Sequence, residues 1–184
     1  MKTKIGINLL AIASGVLLSA CGHQIQDYDN SQPKFELDRY FDGEVTAWGL
    51  VQDYTDKVTR RFCVEIDGSW EGNNGTLVET FYFDDGEKSY RTWHLTKTGD
   101  NYQGTAEDVT GSATGLTQGF AFQWQYNLQL EIDGKAYEFF LDDWMYQVDQ
   151  SRVFNRTSMK KFGIEVAELT LFFDKQQPIR GCQP

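Results

Sequence analysis

Basic residues, histidines and long apolar runs are all scarce in this chain, and each scarcity narrows the reading. Lys and Arg number 17 against 27 Asp and Glu, a net charge of −10. Such a surface repels nucleic acid, so no nucleic-acid partner is expected. The two histidines, His23 and His94, leave little for imidazole-based catalysis; His94 reads as a half-exposed strand residue beside Tyr90 and Thr92. No Gly-x-Ser-x-Gly nucleophile elbow occurs. No metal-ligand spacing occurs either. Asp142 and Asp143 with Asp108 lack a chelating pattern, and Asp84-Asp85-Gly86 reads as a turn, so neither a metal nor a cofactor is expected. The one extended apolar stretch, Ile5 to Leu18, is 14 residues long, short of the about 20 that a spanning helix needs. After residue 34 there is no sustained helical periodicity.

That apolar stretch follows Lys2 and Lys4 and ends in Leu18-Ser19-Ala20-Cys21. Charged start, apolar core, small residues and then cysteine form the signal of a bacterial lipoprotein, removed so that a lipidated Cys21 becomes the N-terminus. The competing reading is an ordinary secretory signal with a coincidental cysteine. Acyl chains contribute about 0.8 kcal/mol per buried CH2, so several chains make a lasting anchor. The membrane is therefore the expected partner. Gly22, in place of Asp, is similar to the sorting patterns of outer-membrane lipoproteins, which implies an outer-membrane anchor facing the periplasm. Residues 1–20 are read as the removed signal, 21–34 as lipidated N-terminus and flexible polar tether, and 35–184 as one β domain of a size that can build a core. Lys2 and Lys4 leave with the signal, so the mature 164 residues carry −12. Cys63 and Cys182 remain. An oxidising periplasm favours a disulfide between them over two free thiols.

The mature part alternates short runs of Val, Thr, Phe, Tyr and Trp with turn clusters such as Asp67-Gly68, Asn74-Gly75, Asp85-Gly86 and Asp133-Gly134, the pattern of a β meander. Strands are expected over 44–53, 57–66, 76–83, 87–98, 102–110, 120–132, 135–146, 151–157 and 165–173. Residues 111–119 read as a loop or a broken strand. The clearest strand places Phe120, Phe122, Trp124, Tyr126, Leu128, Leu130 and Ile132 on one face and polar residues on the other. The fold class is all-β: an antiparallel up-and-down meander of about nine or ten strands, closed into a calycin-like barrel that removes exposed edges. A β-sandwich or half-barrel is the alternative. Residues 35–41 suit a helical turn plugging one barrel end.

The same alternation puts charges on apolar faces: Arg60 with Val58 and Phe62, Glu79 with Leu77 and Phe81, Arg91 with Trp93, Asp108 with Tyr102 and Ala106, and Asp143 with Leu141 and Met145. Buried charge is costly unless paired. Three readings compete: a structural ion-pair network, a pocket whose polar groups orient an amphipathic ligand, and a catalytic cluster with Asp108 or Asp143 as a buried acid. In the pocket reading Arg60 and Arg91 meet an acidic head group, while Trp93, Trp124 and Trp144 line the apolar part. An interaction protein with a solid barrel core is the further alternative, and it predicts no cavity of about 300 Å3.

Tyr40-Phe41-Asp42-Gly43, Ala47-Trp48-Gly49, Val58-Thr59-Arg60-Arg61-Phe62, Gly68-Ser69-Trp70-Glu71-Gly72, Arg91-x-Trp93, Gly104-Thr105-Ala106-Glu107-Asp108-Val109 and Asp142-Asp143-Trp144-Met145-Tyr146 form a string over about 35–173. It resembles the bacterial lipoproteins of "domain of unknown function 3833". The resemblance implies an envelope lipoprotein and singles out Arg60, Asp108, Asp142, Asp143 and Trp144 as motif positions. Cys63 departs from what the resemblance leads one to expect there, which adds weight to a bridge with Cys182. A weaker resemblance, to lipocalin-like barrels, implies the architecture only, because Gly43 and Trp48 do not meet their Gly-x-Trp motif.

Overall fold

The computed structural model describes residues 22–177 and residue 182. The signal segment, Cys21 and the rest of the C-terminal tail lie outside the described residues. Ten strands follow in order: β1 (Gly43–Asp53), β2 (Val58–Glu71), β3 (Asn74–Phe83), β4 (Lys88–Thr98), β5 (Asn101–Thr105), β6 (Val109–Gln118), β7 (Ala121–Ile132), β8 (Lys135–Gln147), β9 (Arg152–Lys161) and β10 (Ile164–Asp174). Each pairs antiparallel with the next, and β10 pairs with β1, so the sheet closes into an up-and-down barrel.

The strands arise where the alternation is cleanest. In β7 the inward Phe122, Trp124, Tyr126 and Leu128 are all buried. The stretch 102–110 divides instead of forming one strand. β5 stops at Thr105, residues 106–108 turn, and β6 begins at Val109. Of the glycine-containing stretch 111–119, residues 111–118 join β6, with a register shift between Thr110 and Thr114, and Gly119 turns into β7. Its weak pattern has a packing cause. The rings of Phe122 and Trp124 occupy the space where a side chain on Gly115 would stand, with a Cβ there only 2.5 Å from Trp124.

One end of the barrel is plugged. The short helix α1 (Leu37–Tyr40) sits across it, and Phe35, Leu37, Tyr40 and Phe41 are buried against Val45, Ile66, Phe122 and Phe173. Lys97 Nζ and Tyr102 Oη both donate to Asp38 Oδ1, at 2.7 and 2.8 Å, and Tyr40 Oη donates to the Ser151 carbonyl at 2.9 Å. Gly68 lies directly under the plug; a Cβ there would stand 1.8 Å from the Phe41 carbonyl oxygen. Cys63 on β2 and Cys182 form a disulfide with Cα atoms 5.4 Å apart.

The polar segment after Gly22, expected as a flexible tether, packs on the outer wall. Residues Ile25–Tyr28 form a 3-10 turn, and Ile25 is buried against Ala121 and Trp144. One apolar side chain and several aromatic neighbours give this segment a seat that its polar composition does not announce.

Candidate functional site

The inward faces differ between the two halves of the barrel. Toward the plug they are closed: Val45, Ala47, Val64, Ile66, Phe122 and Val153 are all within 1% of full burial. Toward the other end, Val51, Phe81, Phe83, Phe139 and Met159 pack against the core yet stay partly exposed. The unplugged end is an open, largely apolar vestibule. Beneath it is a cavity of about 110 Å3, lined by Leu37 and Phe41 below, by Phe62, Phe81, Trp93, Trp124 and Leu171 around, and by the polar groups Glu79, Arg91, Tyr126, Asp143, Asn155 and Thr157.

Arg91 on β4 is the hub of one polar group. Its Nε donates to both Asp108 oxygens at 3.0 Å and its Nη2 to Asp108 Oδ2 at 2.7 Å. Glu79, its register partner on β3, stands 3.8 Å away. The guanidinium also lies over the Phe81 and Trp93 rings, 5.5 and 5.9 Å from their centres. Burial pushes the Glu79 carboxyl up to about 7, against the opposing pull of Arg91. Burial also opposes the charge on Arg91, but Tyr126, Glu79 and Asp108 together outweigh it, so the guanidinium holds its proton more tightly than usual.

Asp143 on β8 forms the second group. It is 7% exposed. Asn155 Nδ2 donates to it and also to the Trp144 carbonyl at 3.2 Å, while Thr157 Oγ1 donates to Asn155 Oδ1 at 3.3 Å. Among the described residues no cation pairs with Asp143. Burial pushes its carboxyl up to about 7, more than the hydrogen bonds from Asn155 and Thr157 pull it down.

A carboxyl raised above its unfolded value keeps its proton longer in the native state. The native state therefore binds more protons than the unfolded chain between about pH 4 and 7, and stability falls as pH rises through that window. Asp143→Asn removes the ionisable group while keeping an acceptor for Asn155. The variant is expected to lose less stability than the wild type between pH 5 and 8. The difference is a few kcal/mol, since each tenfold change in proton affinity is worth about 1.4 kcal/mol. Glu79 acts with the same sign, so Glu79→Gln with Asp143→Asn flattens the profile further. Urea midpoints at both pH values measure this; parallel profiles for wild type and variant would refute the buried-acid account.

The sequence-derived candidates thus divide. Glu79, Arg91, Trp93, Trp124 and Asp143 line one cavity. Asp108 sits at its edge in the β5–β6 turn, reaching it through Arg91. Arg60 is elsewhere, toward the open end, where its Nη2 donates to Asp85 at 2.8 Å and Glu87 at 2.6 Å and its guanidinium covers Phe83 at 3.6 Å. Trp144 is on the outer wall, stacked with Tyr146 and covered by His23 and Ile25. Adjacent strand residues point to opposite faces, so Asp143 inward places Trp144 outward. Tyr126, Asn155 and Thr157 are further lining residues. The alternation Val153, Asn155, Thr157 on one face of β9 is the signal that finds the last two.

A model of the family described as "Protein of unknown function (DUF3833)" matches residues 15–175. No curated protein matches the sequence. Among solved structures, an S-type phycobiliprotein lyase from Guillardia theta superposes with a TM-score of 0.54 at 7% identity, covering 77% of this chain and 92% of that one. A protein of unknown function from the DUF3598 family of Nostoc punctiforme superposes with a TM-score of 0.52 at 11% identity, covering 78% of this chain and 49% of its own length. At such identities the likeness is one of fold.

Proposed function

The chain belongs to the DUF3833 family, and from that premise we propose that it is an envelope lipoprotein, anchored through Cys21, whose barrel holds one small amphipathic molecule. The observation that carries this reading is the half-exposed apolar vestibule above a cavity that ends in buried polar groups. Ligand sites combine mostly apolar walls with a few placed polar groups. Trp93 and Trp124 would flank the ligand's apolar body.

The polar end suited to this site differs from the acidic head group expected from the sequence. Arg91 already meets two carboxylates and Arg60 two more. Asp143 is the group with unspent capacity, so a hydrogen-bond donor or a basic group is the better match. The fold is compatible with such a use: a barrel of this architecture serves as a phycobiliprotein lyase in Guillardia theta.

The cavity volume favours a second reading. About 110 Å3 lies below the roughly 300 Å3 of drug-sized sites and near the roughly 150 Å3 of cavities that hold a benzene ring. A barrel with a solid core would then serve as an interaction protein. Native mass spectrometry with lipid extraction, on the mature protein purified from its own host, separates the two. A stoichiometric amphipathic molecule, released from Asp143→Asn, supports the binding reading. An empty protein supports the solid core.

A further inference from the structure

The outer wall of the barrel carries a feature that the pocket does not use. Four aromatic residues on four neighbouring strands stand in register: Tyr146 of β8 opposite Phe154 of β9, Phe154 opposite Phe172 of β10, and Phe172 opposite Trp48 of β1. The Phe154 and Phe172 rings are 5.0 Å apart, and Phe154 and Trp48 remain 50% and 38% exposed. Outward positions of a barrel standing free in water are normally polar, and a continuous aromatic row marks a contact surface. Arg152 and Arg156 flank Phe154 two residues to either side on the same face of β9, each ion-paired yet more than half exposed. Aromatic rings bordered by long cationic side chains are what the head-group layer of a bilayer selects.

The start of the described chain lies at one end of this row. The His23 ring is 4.3 Å from the Trp144 ring, its Nε2 is 3.3 Å from Tyr146 Oη, and the Tyr28 ring is 5.7 Å from that of Tyr146. Only Gly22 separates His23 from Cys21. At about 3.8 Å per residue, a lipid on Cys21 cannot be more than about 8 Å of chain from this wall. The segment between has no slack, because Ile25 is buried and Ser31 Oγ is fixed by donating to the Tyr28 carbonyl at 2.6 Å and accepting from the Phe120 amide at 3.1 Å.

We propose that the wall formed by Tyr146, Phe154, Phe172 and Trp48 lies in the head-group layer of the membrane that anchors Cys21. The proposal rests on the lipid-anchor reading. It makes the wall a second membrane signal beside the acyl chains. Arg152 and Arg156 beside Phe154 are paired with Asp149 and Glu168, so the rings and the long side-chain stems, not net positive charge, hold the wall against the bilayer. The row lies toward the plugged half of the barrel, so the open vestibule points away from the anchoring bilayer. A ligand would then enter from the aqueous side.

The test uses the full lipidated protein in vesicles of phosphatidylethanolamine and phosphatidylglycerol. Flotation with the vesicles is measured first; failure to float would overturn the anchor and the wall together. Next, Phe154→Cys carries an environment-sensitive fluorophore, and Tyr90→Cys, exposed on β4, carries it as the control. The expected result is a blue-shifted, several-fold brighter label at position 154 that brominated lipid quenches, with the label at 90 unchanged. A floating protein whose label at 154 behaves as at 90 would overturn the wall while leaving the anchor intact. A label at 154 that is protected without vesicles, increasingly with protein concentration, would assign the wall to a second copy of the chain and also overturn the proposal.

Discussion

Arg91→Met is expected to destabilise the barrel by about 3–5 kcal/mol at pH 8, the range for breaking a buried ion pair from one side. Arg91 is 16% exposed and Glu79 13%, so neither is well served by water. The variant deletes the paired hydrogen bonds to Asp108 and leaves Glu79 without a cation. Glu79 already holds its proton up to about 7 with Arg91 beside it; without Arg91 it holds it to higher pH. The native state then binds more protons than the unfolded chain over a wider range, so the loss grows as pH rises and shrinks toward pH 5. Asp108, 32% exposed, is partly screened and contributes less. Glu79→Gln in the Arg91→Met background should recover much of the loss. Arg61→Met is the control: its pair with Asp84 is on the surface, where solvent screens it, so its loss should be far smaller. Urea unfolding at pH 5 and pH 8 reads all of these. Equal losses at the two pH values would mean that Glu79 is not the group left stranded.

The barrel is legible in the sequence because its strands alternate and its turns carry Asn-Gly and Asp-Gly. An all-β meander follows from period and turn chemistry; closure over a β-sandwich or half-barrel is favoured by the removal of edges, and the pairing of β1 with β10 decides it. The departures are local and have physical causes. The stretch 111–119 reads as a loop or a broken strand because its glycines carry no pattern, and the rings that fill the space over Gly115 belong to β7. Asp108 reads as a strand residue because nothing in 102–110 marks the turn at 106–108. Within the site, alternation places Glu79, Arg91, Trp93, Trp124 and Asp143 inward, where they are found. It cannot show that Arg60 is spent on Asp85 and Glu87, since those partners sit in a turn whose direction the sequence does not give. Trp144 suits a pocket by its chemistry, but its neighbour Asp143 takes the inward face. The seat of the N-terminal segment is tertiary: Ile25 alone among polar residues gives no periodicity, yet one buried side chain and a set of rings suffice to dock it.

Breaking the Cys63–Cys182 bridge is expected to cost up to about 5 kcal/mol, the chain-entropy value for so long a loop. The two cysteines are 119 residues apart, so the bridge encloses the chain from the middle of β2 to beyond β10. It does not close the barrel. The β1–β10 and β1–β2 ladders do that with their own hydrogen bonds. Its effect therefore falls mainly on the unfolded chain, whose freedom it restricts. Two signatures follow. The Cys63→Ala/Cys182→Ala double variant should keep the far-ultraviolet circular dichroism of the wild type without denaturant. Its urea midpoint should fall, and its m-value should rise, because an uncrosslinked chain exposes more surface on unfolding. Reduction of the wild type should reproduce both changes. A lower midpoint with an unchanged m-value would place the stabilisation in native contacts around Cys63 and its register neighbour Trp48. An unchanged midpoint would mean that strain or residual unfolded structure cancels the entropy gained from the crosslink.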